Sequence, residues 1–143
     1  MAANYLKAMQ SYLKDSDLPK LEQLVVTKSW WDTVDILDRV VGSLVYEKQE
    51  LEKIILQWSL SDNIWLRRVA IDHQLLRKEK TNVQLMEKIL LHNLNQTEFF
   101  INKAIGWALR DYSKTNPTWV AGFIEKNKER MADLSIKEAS KYL

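Results

Sequence analysis

Apolar residues recur at steps of three and four along almost the whole 143-residue chain, and short polar segments with helix-capping residues interrupt them. This spacing places apolar side chains on one face of an α-helix, whereas a half-buried strand requires alternation at every second residue. Glycine and proline are scarce, with three and two residues respectively. The pattern predicts an all-α protein.

Capping signals give these helices approximate bounds. Pro19 falls in the first turn of a short helix, where a missing backbone N–H costs little. Thr81 and Thr97 are predicted N-caps, and Ser135 with Glu138 forms a predicted capping box. The predicted helices are 4–14, a short one after residue 17, 29–46, 48–58, 62 or 63–78, 81–94, 97–112, 117–131 and a last one from residue 135.

An internal repeat connects the long predicted helices, which begin near Trp30, Asn63, Glu98 and Ser135 at intervals of 33, 35 and 37 residues. Each repeat contains two helices, and such pairs bury their apolar faces only by stacking on their neighbours. We therefore expect a single repeat domain over residues 1–143, an α-solenoid (superhelix) of antiparallel helix pairs. Its approximate repeats are 29–62, 63–97 and 98–134, with flanking helices at both ends.

Composition excludes several classes of site. The chain has no cysteine, which rules out disulfides and thiolate metal ligands, and its two histidines lie far apart in the sequence. We therefore expect no metal site. No apolar run approaches the roughly 20 residues that span a bilayer, so we expect a soluble, cytoplasmic protein without a membrane partner.

The segment 29–35, SWWDTVD, places two tryptophans and two carboxylates within two helical turns. Trp31 and Asp35 are four residues apart and therefore share one helix face. Val34 belongs to a neighbouring stripe, which Leu37 and Val41 continue toward a core. Two interpretations remain open at this point. Either Trp31 is a core residue and Asp35 pairs with Arg39 at i+4, or the indole and the carboxylate face outward and take part in chemistry.

The distribution of charge is more informative than the formal net charge of +2. Residues 63–80 contain five basic and two acidic side chains, a local basic patch that a solvated helix face would also resemble. The helices that begin near Trp30, Asn63 and Glu98 are alternate members of the repeat, so we expect them on one surface. Besides Trp31 and Asp35, they carry five residues that fit poorly in a core: Arg67, Arg68, Lys103, Trp107 and Arg110.

Such a surface suits a cationic or phosphate-bearing ligand. Indole faces attract cations, and arginine binds phosphate through two parallel hydrogen bonds. The alternative is that Trp107 is an ordinary core residue and Arg68 a surface charge. The sequence pattern alone leaves both interpretations open.

Three ordered motifs carry a family resemblance: KSWWDTVD at 28–35, NIWLRRVAI at 63–71 and EFFINKAIGWALRDYSKTNP at 98–117. From about residue 15 to its C-terminus, the chain resembles the AlkD-type DNA alkylation repair glycosylases, which are built from HEAT-like repeats. The resemblance implies HEAT-like helix pairs. It also implies a base-excision repair enzyme that removes cationic alkylpurines, such as 3-methyladenine and 7-methylguanine, from double-stranded DNA.

The resemblance further implies roles for individual residues. Asp35 matches the catalytic aspartate of the family, and Arg68 matches an arginine that contacts a phosphate. Trp31 and Trp107 match two groove tryptophans that contact the backbone of the damaged nucleotide. Three other basic residues are predicted DNA contacts: Arg67, Lys103 and Arg110. Because the alkylated base is already a cationic leaving group, we expect no general acid, metal or small-molecule cofactor.

One departure from the family pattern keeps alternatives open. Family members carry further repeats before the SWWDTVD helix, whereas 28 residues precede it here, so the chain is either a fragment or a naturally short relative. The alternative functions are a non-catalytic HEAT-like module that binds DNA or protein, and a structural solenoid. Self-association through the exposed N-terminal end is a further expectation, because repeats normally have neighbours.

Overall fold

The computed structural model describes residues 14–27 and 31–143, apart from the side chains of Asp15, Trp31 and Asp32. The described residues form eight α-helices and no β-strand, which confirms the predicted all-α class. The α-helices are α1 (Leu18–Thr27), α2 (Trp31–Glu47), α3 (Glu52–Trp58), α4 (Ile64–Asp72), α5 (Val83–His92), α6 (Phe99–Ser113), α7 (Pro117–Asn127) and α8 (Asp133–Ala139). Short 3₁₀ helices cover Asp15–Asp17, Gln49–Leu51, Lys78–Lys80 and Lys128–Arg130. Residues 4–13 of the first predicted helix lie outside the described residues.

The chain divides into two compact units, one ending at His73 and the other covering Gln74–Leu143. In the first unit, α2 packs along α4, while α1 and α3 lie against this pair. In the second unit, α6 packs most extensively against α8 and also contacts α7. Each unit is therefore organised around one close helix pair.

The α2–α4 pair depends on an apolar stripe and one glycine. Val34, Leu37 and Val41 are completely buried, which confirms the stripe predicted beside Trp31. A Cβ atom built on Gly42 would lie 2.0 Å from the backbone oxygen of His73. No larger side chain fits there without moving the backbone, so glycine sets how closely α2 approaches the end of α4.

The α6–α8 pair also has a glycine at its contact. A Cβ atom on Gly106 would lie 2.7 Å from Cβ of Glu138 and 3.3 Å from the backbone oxygen of Ser135. The Ser135 hydroxyl donates a hydrogen bond of 2.7 Å to the backbone oxygen of Asn102. Ser135 is consequently a buried contact between the two helices.

The predicted Ser135–Glu138 capping box is therefore wrong. Helix α8 begins two residues earlier, at Asp133, with Ala132 as its N-cap, and places Ser135 inside its first turns. Packing against α6 provides the Ser135 hydroxyl with a tertiary acceptor, and this overrides the local signal that its sequence spacing gives.

Two other predicted N-caps are displaced by one residue. Asn82, rather than Thr81, caps α5, because its side chain accepts a hydrogen bond from the backbone N–H of Leu85. Glu98, rather than Thr97, is the N-cap residue of α6, without a capping hydrogen bond from its side chain. Asparagine and threonine both suit this position, so adjacent capping residues leave the exact start undecided.

Helix α4 begins as predicted and ends earlier than predicted. The Asn63 side chain accepts hydrogen bonds from the backbone N–H groups of Trp65 and Leu66. The helix then stops at Asp72 instead of continuing to residue 78. Leu76 and Lys78 have φ angles of 69° and 55°, in the left-handed region, and a right-handed helix cannot continue through such residues.

No helix in the described ranges combines the length and apolar character needed to cross a membrane.

Candidate functional site

The carboxylate of Asp35 lies against the guanidinium of Arg68 in the first unit. Arg68 donates from Nε to Oδ1 of Asp35 at 3.0 Å and from Nη2 to Oδ2 at 3.4 Å. Two such bonds fix the plane of the carboxylate as well as its position. The Arg68 side chain is 10% exposed and the Asp35 side chain 38% exposed. Asp35 is thus held on one side and open to solvent on another.

This geometry settles two alternatives that the sequence left open. Asp35 pairs with Arg68 of α4 across the helix contact, whereas Arg39 places its Nε 3.5 Å from Oδ1 of Asp38. The alternative in which Asp35 pairs with Arg39 at i+4 is therefore wrong. Arg68 is buried, so its interpretation as a surface charge is also wrong.

Two buried carboxylates complete the surroundings of Arg68. Asp72 follows Arg68 by one turn of α4, with its Oδ2 4.0 Å from the Arg68 Nε. Asp38 follows Asp35 by one turn of α2, and ligand atoms of the three carboxylates lie within 4.8 Å of one another. We call these four residues the acid–arginine cluster: Asp35, Asp38, Arg68 and Asp72.

The pKa of Asp38 is raised by its place in this cluster. Burial raises the pKa of Asp38 well above its ordinary value of 3.8, and the neighbouring carboxylates of Asp72 and Asp35 raise it further. The positive charges of Arg39 and Arg68 lower the pKa of Asp38, but by less. The cluster therefore resists carrying a full negative charge on every carboxyl group.

The three carboxylates of the cluster, Asp35, Asp38 and Asp72, form the group of described residues that is close enough to share a metal ion. Arg68 already provides a positive charge among them, through its contacts with Asp35 and Asp72. Part of the negative charge of this donor set is therefore compensated by the protein itself. The expectation that the protein uses no metal stays a prediction.

Trp107 lies on α6 in the second unit and is 47% exposed. Its interpretation as a core residue is therefore wrong. The guanidinium carbon of Arg110, three residues later, lies 5.5 Å from the centroid of the indole ring. This distance is within the range of a cation–π contact.

Lys103 and Arg110 share one carboxylate. Glu138 of α8 lies with Oε1 3.6 Å from Nζ of Lys103 and with Oε2 3.4 Å from Nη1 of Arg110. Both cations predicted as DNA contacts on α6 are thus anchored to α8, and both remain partly exposed.

The structure gathers the predicted site residues into two groups. In the first unit, Asp35 and Arg68 are in contact, and Arg67 precedes Arg68 on α4 with a partly exposed side chain. Trp31 is the first residue of α2, and its side chain lies outside the described residues. In the second unit, α6 carries the other three residues: Lys103, Trp107 and Arg110.

Four residues at these two groups were missed by sequence reasoning: Asp38, Asp72, Glu138 and Tyr142, whose hydroxyl accepts a hydrogen bond of 3.0 Å from Nη2 of Arg110. Helical spacing carries a signal for two of them, because Asp38 follows Asp35 by three residues and Asp72 follows Arg68 by four. Glu138 and Tyr142 follow Lys103 and Arg110 by 35 and 32 residues, which is close to the spacing of the internal repeat. A search for charged partners at the predicted repeat interval would have found Glu138, whereas the uncharged Tyr142 carries no such signal.

The motifs that carry these groups agree with comparisons to known proteins. The model of a family described as DNA alkylation repair enzyme matches residues 1–143. The chain belongs to this family. A structure from Enterococcus faecalis, described as a predicted DNA alkylation repair enzyme, superimposes with a TM-score of 0.91 at 36% sequence identity. No curated protein matches the chain.

The match with the Enterococcus faecalis structure covers 99% of this chain and 66% of that one. The chain therefore spans just under two thirds of the length of that protein. Family membership confirms the resemblance that the three sequence motifs indicated. It also confirms the predicted fold class of antiparallel HEAT-like helix pairs.

Proposed function

We propose that this chain is a DNA glycosylase of base-excision repair that hydrolyses the N-glycosidic bond of cationic alkylpurines, such as 3-methyladenine and 7-methylguanine, in double-stranded DNA. Membership of the DNA alkylation repair enzyme family supports a role in alkylation repair. The observation that carries the proposal is the Asp35 carboxylate, which Arg68 orients through two hydrogen bonds while its side chain stays 38% exposed.

The proposed reaction needs little proton transfer. The bond between the sugar and the cationic base breaks, the base leaves with the bonding electrons as a neutral alkylpurine, and the sugar becomes an oxocarbenium-like cation. Asp35 stabilises this developing positive charge and orients a water molecule. Water then adds its oxygen to the sugar carbon and releases a proton to solvent. No general acid is required, because the leaving base is already charged.

Arg68 serves this reaction as a positioning residue. Its guanidinium holds both oxygens of Asp35 and also lies 4.0 Å from Asp72, so the carboxylate is fixed before the substrate arrives. The burial of Arg68 supports this role more strongly than the phosphate contact implied by the resemblance, which stays a prediction. Contacts of DNA with Arg67, Lys103 and Arg110 also stay predictions.

The two tryptophans are assigned by the family motif. Trp107 is exposed, which supports its availability to a nucleotide, and the role of Trp31 rests on its position four residues before Asp35. An indole face near the cationic sugar would add a cation–π contribution, which is larger where water is excluded.

Release of 7-methylguanine from methylated duplex DNA tests the proposal. Asp35→Asn keeps the size of the side chain and part of its hydrogen bonding, and removes the negative charge. We expect a loss of base-release rate of about 100-fold or more, because removal of one electrostatic stabiliser typically costs this much. Asp62→Asn is the matched control, since Asp62 is an exposed carboxylate outside the helices, and should retain the wild-type rate.

The same experiment separates glycosylase activity from binding alone. If the wild-type chain binds methylated DNA and frees no base above the buffer rate, catalysis by this chain is refuted and the non-catalytic HEAT-like binding module is supported. Circular dichroism of Asp35→Asn must match the wild type, because Asp35 also provides a partner for the buried Arg68.

A further inference from the structure

An exposed group of aromatic and basic side chains lies on the second unit, at the contact of α6 with the residues that follow α8. The guanidinium carbon of Arg110 lies 5.5 Å from the ring centroid of Trp107 and 5.1 Å from that of Tyr142. The Nζ of Lys114 lies 5.1 Å from the Tyr142 ring centroid. We call these four residues the Tyr142 surface: Trp107, Arg110, Lys114 and Tyr142.

Hydrogen bonds hold the Arg110 guanidinium between the two aromatic residues. Its Nη2 donates to the hydroxyl oxygen of Tyr142 at 3.0 Å, and its Nη1 donates to Oε2 of Glu138 at 3.4 Å. The residues Trp107 and Tyr142 are nevertheless 47% and 50% exposed. A ligand can therefore reach side chains that are already ordered, which lowers the entropic cost of binding.

Positive charge surrounds the Tyr142 hydroxyl. The hydrogen bond from Arg110 lowers the pKa of Tyr142 from its ordinary value of 10.0, and the charges of Arg110, Lys114 and Lys141 lower it further. Glu138 is the carboxylate that contacts Arg110, and it is shared with Lys103. Four cations thus accompany one carboxylate at this surface, which favours an anionic ligand.

We propose that Tyr142 and Lys114 bind the phosphodiester backbone of double-stranded DNA. The Tyr142 oxygen accepts the hydrogen bond from Arg110, so its own proton is directed to another acceptor, and Lys114 provides a point charge beside it. The contacts and charges described above favour a polyanion, and this proposal rests on the proposed function only in naming that polyanion as DNA. Neither residue belongs to the sites that the sequence motifs assigned.

Binding of an undamaged DNA duplex, measured by fluorescence anisotropy at several salt concentrations, tests the proposal. Lys114→Gln should reduce the slope of log affinity against log salt by about one and weaken binding about tenfold at 0.1 M salt. Tyr142→Phe retains the ring and removes the hydroxyl, so affinity should fall several-fold with a smaller change of slope. Lys126→Gln on α7 removes another exposed lysine of the same unit and is the matched control.

Three outcomes would overturn the proposal. Lys114→Gln could show the same salt slope as Lys126→Gln, Tyr142→Phe could bind with wild-type affinity, or the wild-type chain could fail to bind the duplex. Stronger binding to an acidic peptide than to DNA would assign the surface to a protein partner instead. The binding measurement uses undamaged duplex and does not depend on base release. A chain that binds this duplex through Lys114 but frees no base from methylated duplex refutes the proposed glycosylase activity alone.

Discussion

The two units contain arginines in contrasting surroundings. In the first unit, Arg68 is buried among the carboxylates of Asp35, Asp38 and Asp72. In the second unit, Arg110 is partly exposed and lies between Trp107 and Tyr142, with the single carboxylate of Glu138. Negative charge therefore predominates around the first arginine and positive charge around the second.

This difference shows how the same residue type can serve different purposes. Removing one charged side chain from a buried cluster leaves the opposite charges of its partners uncompensated, which destabilises the protein. A buried cluster is therefore kept intact, and it can hold a reactive carboxylate in a fixed position. A partly exposed arginine such as Arg110 keeps contact with solvent and stays available to a polyanion. We therefore associate the acid–arginine cluster with the proposed chemistry and the Tyr142 surface with proposed DNA binding.

The largest expected effect comes from removing the buried arginine. Arg68→Ala leaves Asp72 and Asp38 buried without their shared cation, and should lower the free energy of unfolding by about 3 kcal/mol or more. Arg110→Ala is the matched comparison and should change stability far less, because its partners can be solvated. Urea unfolding of the two variants measures both effects. Equal destabilisation would contradict the distinction between a buried and an exposed arginine.

A second comparison concerns the glycines at the helix contacts. Gly42→Ala directs a methyl group to 2.0 Å from the backbone oxygen of His73, and should lower the free energy of unfolding by about 3 kcal/mol. In Gly106→Ala, the new methyl group lies 2.7 Å from Cβ of Glu138, a side chain that can shift. Because alanine also has the higher helix propensity, the free energy of unfolding should fall by only about 1 to 2 kcal/mol. Gly122→Ala on α7 meets no atom within 4 Å and is the control. If Gly106→Ala lowers the free energy of unfolding as much as Gly42→Ala does, the α6–α8 contact adjusts no better than the α2–α4 contact.

The smallest expected effect concerns the pH dependence of the acid–arginine cluster. Because the pKa of Asp38 is raised in the folded state, the folded protein holds a proton that the unfolded chain has lost. The contribution of Asp38 to stability therefore falls as pH rises above its ordinary value of 3.8, and levels off above its folded pKa.

Asp38→Asn removes this titration. The stability of the variant relative to wild type should rise with pH in that window, by at most about 1.4 kcal/mol per pH unit. Urea unfolding at a series of pH values measures the difference, with the exposed Asp133→Asn as control. A difference that is constant with pH would show that Asp38 titrates like an ordinary carboxyl group.

Much of the local structure could be predicted from the sequence. The apolar spacing indicated the helices, Asn63 marked the start of α4, and the stripe of Val34, Leu37 and Val41 is buried as expected. One error arose where a tertiary contact competed with a local signal. Ser135 has the spacing of a capping residue, yet its hydroxyl bonds to Asn102 of another helix.

The sequence alone determined the helical class and the family, because side-chain periodicity and ordered motifs are properties of the chain itself. Only the tertiary structure decided that Asp35 pairs with Arg68, 33 residues away, and that Arg110 lies between Trp107 and Tyr142. Spacing along a helix identifies which side chains share a face. Which charges meet across two helices depends on how closely the backbones approach, and at both contacts a glycine permits that approach.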